Sequence, residues 1–132
     1  MPNMSVSLRN VPDTQAAMGW AGGHTVIIDR AEGRAGGMGL GFNGGQMIAL
    51  AIGGCFCNDL RYMAETMGIS IDTIAVDVTI TLAGSPLLVT GAEMVVRVEG
   101  QGDVAELIRR AAADSTVGNS VQRGFPVTVT QA

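Results

Sequence analysis

Apolar and polar positions alternate most clearly from Ile74 to Leu82, where Ile74, Val76, Val78, Ile80 and Leu82 stand against Asp77, Thr79 and Thr81. A two-residue period puts one set on each face of a strand. Gly84, Ser85 and Pro86 supply a turn, and Leu87 to Glu99 reads as the partner strand with Met94, Val96 and Val98 on one face. Two shorter β-branched stretches, Ser5 to Val11 and Thr25 to Asp29, predict further strands around a Pro12–Asp13 turn, and Pro126 to Thr130 predicts a closing strand.

The period changes after residue 43. Asn43, with Gln46 three residues on, has the pattern of a reciprocal helix cap, and the helix it opens continues through Met47, Leu50, Phe56, Leu60 and Met63 to a stop at Gly68. Its first half is apolar on nearly every side, which predicts burial all round; Asp59, Arg61 and Glu65 give the second half a polar face. Asp103 caps a second helix with Glu106 in the third position and an apolar stripe of Val104, Leu107, Ile108 and Ala111. A break near Asp114 to Asn119 precedes a last helical turn or two. Strands from both halves of the chain around one buried central helix give an α+β class with antiparallel sheets, and 132 residues fit a single domain, 1–132.

Composition narrows the chemistry. Hydrophobic residues make up 47% and charged ones 15%, so a packed body with a modest polar surface is expected. Eight methionines serve as flexible filling where aromatics are only 4%. The net charge is −4 and all eight basic residues are Arg, which argues against a nucleic-acid partner and removes both a Schiff-base lysine and a lysine-ended phosphate loop. His24 is the one histidine, so a His-rich metal site is not expected, and nothing calls for a cofactor. His24 itself reads as a structural or surface residue, and Trp20 with Met18 as core or interface packing. The N-terminus has no basic-then-apolar signal pattern, and the longest apolar run, Met47 to Cys57, is too short for a bilayer. The chain therefore reads as cytoplasmic, with no membrane partner and with reduced thiols.

Seven glycines between Gly33 and Gly45 predict a loop of low intrinsic order. Within it, Gly39, Gly41 and Gly44 spell a dinucleotide fingerprint, but no strand runs into the first glycine and the acidic residue at the right distance, Asp59, falls inside the helix. A milder reading is an anion received by the backbone N–H groups of Gly44, Gly45 and Gln46 at the helix start; capping by Asn43 meets much of the same need. Gly53 and Gly54 each cost a helix about 1 kcal/mol relative to Ala, which calls for close packing or for room beside a ligand.

Cys55 and Cys57 are two apart in that helix, and at about 100° per residue their side chains diverge by roughly 200°. They cannot pair within it, and two thiols are too few for structural zinc. Taken alone, each reads as a small buried hydrophobe.

The run from Gly41 to Phe56, Gly-Phe-Asn-Gly-Gly-Gln-Met-Ile-Ala-Leu-Ala-Ile-Gly-Gly-Cys-Phe, resembles the signature of the OsmC/Ohr family. There a glycine loop and an Asn-Pro-Glu-type helix start lead to a pair of small residues and a reactive Cys. The resemblance extends from about Thr25 through Met67-Gly68-Ile69, the paired strands, the second helix and a terminal strand. It implies the OsmC-like fold, an intertwined homodimer with sites at the subunit interface, and reduction of organic hydroperoxides. In such peroxidases an Arg stabilises the attacking thiolate, a Glu orients the Arg, and a second Cys resolves the oxidised first one.

Residue by residue, Cys55 matches the reactive position. Gly44-Gly45 stand where the family has Pro-Glu, so the orienting carboxylate is missing. Ser115-Thr116-Val117 stand where a Cys-Pro-Val-like segment is usual, so the resolving thiol is missing. Arg34 is the nearest counterpart of the family Arg, and Arg30 the second choice. Asp59, one turn after Cys55, opposes ionisation of the thiol unless an Arg screens it. Asn58 and Tyr62 are expected to line a pocket with Cys55. The resemblance thus implies a one-cysteine or degenerate thiol site in which Cys55 is nucleophile, Arg34 its electrostatic partner and an external thiol the resolver. Two alternatives stand beside it: a non-enzymatic dimer that binds an apolar or acidic small molecule, and a dimer kept for a protein partner.

Overall fold

In a computed structural model of the chain, which describes residues 1–132, the backbone forms two compact units, Met1–Met47 and Ile48–Ala132. The first holds a three-stranded antiparallel sheet in the order β1 (Ser7–Asn10), β2 (Ala17–Ala21), β3 (His24–Ile28). The second holds α1 (Gly44–Met67, whose first turn belongs to the first unit), the antiparallel pair β4 (Ser70–Ala83) and β5 (Leu88–Gln101), then α2 (Val104–Asp114) and α3 (Thr116–Arg123). Two antiparallel sheets and three helices make an α+β fold, as the patterning predicts.

The β4–β5 hairpin follows its alternation. Ile74 pairs with Val98, Val76 with Val96 and Val78 with Met94, so one face is apolar throughout. Against it lies a core of Phe56, Leu60, Met63 and Ala64 from α1 with Leu107 and Ala111 from α2. Burial of each large side chain stabilises the unit by roughly 1.5–3 kcal/mol. Both predicted caps form. Asn43 Oδ1 accepts from Gln46 N at 2.9 Å while Gln46 Oε1 accepts from Asn43 N at 3.0 Å, and Asp103 Oδ1 accepts from Glu106 N at 3.1 Å.

Four expectations need correction. The chain between the first two expected strands contains a strand of its own: Met18 and Trp20 belong to β2, which pairs with both β1 and β3. The first half of α1 is not buried all round. Ile52 and Gly53 are buried, but Leu50 is 49% exposed and Ala51 and Gly54 are open, because the sheet and α2 cover one side only. Pro126–Thr130 forms no strand; Phe125, Val127 and Val129 stand exposed, since alternation supplies a tendency and pairing requires a neighbouring strand.

The glycine loop, fourth, is ordered by a residue the patterning does not single out. Asp29, at the end of β3, is buried, and its carboxylate accepts from the backbone N–H groups of Arg30 (2.8 Å), Met38 (3.1 Å) and Leu40 (3.0 Å). The N–H of Leu40 contributes most to holding that carboxyl below the usual carboxylate range, against the opposing effect of burial; Met38, Arg30 N–H and the Arg30 guanidinium add to it. Gly41 passes so close to Ile27 that a Cβ there would collide with the Ile27 carbonyl oxygen, so only glycine fits.

Candidate functional site

Around α1 the side chains of Ile48, Ile52, Cys55, Asp59, Tyr62 and Thr66 fall within one narrow stripe, as spacings of three and four require. The stripe runs along the margin of the buried face. Cys55 is half-buried on it, and its Sγ donates a hydrogen bond to Asp59 Oδ2 at 3.6 Å. Only the protonated thiol makes that bond. Cys57 lies at the opposite margin of the same buried face, and both cysteines are free, as their divergence predicts.

Two cavities open along the Cys55 stripe. Ile48 and Ile52 line one of about 450 Å³, closed by Val89 to Ala92 and Met94 of β5 and by Gly118, Val121 and Gln122 of α3. Asp59, Tyr62, Met63 and Thr66 line a second of about 280 Å³, closed by Ala111, Asp114 and Thr116. The first is mainly apolar, and the second carries two carboxylates and no cation. In sequence along the stripe, Cys55 falls between the residues that line them.

The other expected site residues are distributed as follows. Tyr62 is 69% exposed and lines the smaller cavity; Asn58 is exposed on the neighbouring face and lines neither cavity. Ser115 is buried between α2 and α3, and its hydroxyl accepts from Gly118 N at 3.3 Å, which caps α3. Gly44 and Gly45 form the first turn of α1, and the N–H of Gln46 is taken by Asn43. Arg34 is exposed in the glycine loop and takes part through its backbone, where its carbonyl accepts from Gly37 N at 2.7 Å. Arg30 is committed within the first unit: its guanidinium donates to the Gln15 carbonyl at 2.6 Å and pairs with Asp29 at 3.4 Å. Of the two arginines, the second choice therefore already has partners.

Gly53 faces β4. A Cβ on it would come within 2.8 Å of Val78 Cγ2 and 3.5 Å of Val76 Cγ1, whereas a Cβ on Gly54 would meet nothing within 4 Å. The first glycine thus serves helix–sheet packing and the second does not. His24 begins β3 and, with Trp20, Leu8 and Val26, borders an apolar cavity of about 270 Å³ in the first unit. Sequence reasoning missed Asp29 and Asp114. An Asp directly before a run of glycines is a readable signal for the first, while the second reaches the site only through tertiary packing. No three His, Cys, Asp or Glu side chains converge as metal ligands, and no helix is long and apolar enough to cross a membrane.

Among curated proteins no match was found. Several solved structures share the fold. An OsmC-like protein from Mycoplasma pneumoniae superposes with a TM-score of 0.77 at 14% identity, over 92% of this chain and 88% of that one. An OsmC-like protein of unknown function from Vibrio cholerae gives 0.79 at 12%, over 92% and 95%. The organic hydroperoxide resistance protein OhrB of Bacillus subtilis gives 0.64 at 21%, over 91% and 90%. The family model described as OsmC-like protein matches residues 36–130, and with that match across most of its length the chain belongs to the OsmC-like family.

Proposed function

We propose that the protein is a one-cysteine thiol protein that reduces organic hydroperoxides slowly, as a homodimer in the cytoplasm, with Cys55 as the reacting residue and Arg34 as its electrostatic partner. The observation that carries this reading is the position of Cys55, free and half-exposed on a stripe bordered by two cavities. Its neighbours named for organic hydroperoxide resistance support the substrate class. The Cys55 thiolate attacks the O–O bond, becomes a sulfenic acid and releases an alcohol. With Ser115 in place of a resolving cysteine, an external thiol condenses with the sulfenic acid, releasing water and leaving a mixed disulfide. A second external thiol then restores Cys55 and departs in a disulfide with the first.

Cumene hydroperoxide consumption with dithiothreitol tests it. Turnover is expected in the wild type and in Cys57→Ser and absent in Cys55→Ser; undiminished turnover in Cys55→Ser overturns it. Sedimentation velocity tests the homodimer.

A second reading, a non-enzymatic small-molecule-binding dimer, is favoured by the bond from Cys55 to Asp59, which engages the sulfur as a hydrogen-bond donor with no cation beside it. It fits an apolar ligand in the 450 Å³ cavity better than an acidic one, since no cation lines that cavity. Slow alkylation of Cys55 below pH 8.5, without hydroperoxide turnover, selects it. A thermal-shift screen then seeks the ligand.

A further inference from the structure

We infer that the carboxylates beside Cys55 sort reactants by charge, favouring uncharged or cationic ones at the sulfur and turning away anionic ones, so that the thiol that regenerates it carries no net negative charge. This rests on Cys55 being the reacting residue. Asp59 lies against the sulfur at 3.6 Å and lines the smaller cavity, and Asp114, from the last position of α2, lines the same cavity. The larger cavity, on the other side of Cys55 along the stripe, brings no charge of either sign: its walls are aliphatic side chains, glycine, Thr90 and Gln122. An approaching carboxylate or sulfonate therefore meets two like charges and loses water without gaining a partner. A cationic head meets two opposite charges.

The residues divide the work. Asp59 acts on the sulfur as well as on the reactant, since it accepts the hydrogen bond of the thiol. Asp114 is separate from the sulfur in sequence and acts on the incoming group through the cavity they share. The two substitutions therefore have different signatures. Asp59→Asn removes a charge that touches the sulfur and lowers the charge preference the more. Asp114→Asn lowers it by less.

Methanethiosulfonate reagents carrying a methyl, a trimethylammonium-ethyl or a sulfonato-ethyl group read this directly in a Cys57→Ser background. In each, the Cys55 thiolate attacks the sulfenyl sulfur, a disulfide forms, methanesulfinate leaves and the thiol proton passes to solvent. Rates are divided by those for a small thiol in solution. The cationic reagent is expected to lead the anionic one by about tenfold at low salt, with the lead shrinking in 1 M NaCl and in both Asp variants. Equal normalised rates, or a lead untouched by both substitutions, overturn the inference while leaving Cys55 as the reacting residue. A thiol that reacts with none of the three, the methyl reagent included, sinks the underlying reading and this one with it.

Discussion

Adjacent glycines in α1 give opposite outcomes when each is replaced by alanine, and the difference is large enough to measure. Either replacement gains about 1 kcal/mol of helix propensity. At Gly54 nothing stands within 4 Å of the new Cβ, so that gain is realised. At Gly53 the Cβ falls 2.8 Å from Val78 Cγ2, well inside the 3.5–4.0 Å at which carbon atoms attract. Val78 is β-branched and sits in the paired β4 strand, so it cannot swing aside without leaving its rotamer. Overpacking of this kind costs about 1–3 kcal/mol. The net expectation is a loss of about 1 kcal/mol for Gly53→Ala and a gain of up to about 1 kcal/mol for Gly54→Ala. On a chain of this size each kcal/mol moves the melting temperature by about 3–5 °C. Circular dichroism at 222 nm during urea unfolding is the suitable assay, because it follows the helices, whereas the one Trp lies in β2. Val78→Ala should cost less in the Gly53→Ala background than in the wild type, so that the double variant is more stable than the sum of the single losses. Equal stabilisation by both single substitutions would show that α1 and β4 do not approach as closely as described.

Leu107→Ala removes a fully buried side chain from the α1–α2–hairpin core and should destabilise by about 2–5 kcal/mol in the same urea assay. Asn43→Ala breaks the reciprocal cap of α1 and should cost about 1 kcal/mol, with Gln46→Ala costing little more in the double variant because the two bonds form one unit. Asp29 has a folded value below its unfolded one, so its stabilisation is present above about pH 4 and is lost as pH falls through the folded value. Trp20 fluorescence should report that loosening on acidification, and Asp29→Asn should remove this pH dependence while exposing the N–H groups of Met38 and Leu40 to exchange at neutral pH.

Local signals were the legible ones. Asn43 with Gln46 and Asp103 with Glu106 declare caps because the partners are three residues apart, and the β4 and β5 alternation fixes which face packs. Cys55 with Asp59 is equally local, one turn along a helix. What escaped depends on distant chain. β2 reads Ala17-Met18-Gly19-Trp20-Ala21, a poor strand former by composition, and it pairs because β1 and β3 flank it. Phe125, Val127 and Val129 err the other way, with a strand pattern and no partner strand. The extent of α1 was readable but its burial was not, since one-sided cover depends on how many elements pack against it. Asp114 joins Asp59 only through the packing of α2 on α1. The family resemblance is what marks Cys55 as a candidate, since spacing and composition alone leave it a small hydrophobe.

One carboxylate pins the glycine-rich segment, and it reaches Met38 and Leu40 through their main-chain N–H groups. Met38 and Leu40 are thereby held at fixed places without their side chains being asked to do anything, and those side chains point outward, 56% and 49% exposed. Contour and chemical identity are thus written by different residues. Variation at positions 38 and 40 can retune what the loop presents while its trace stays put, whereas a change at position 29 would loosen the trace whatever the loop displays.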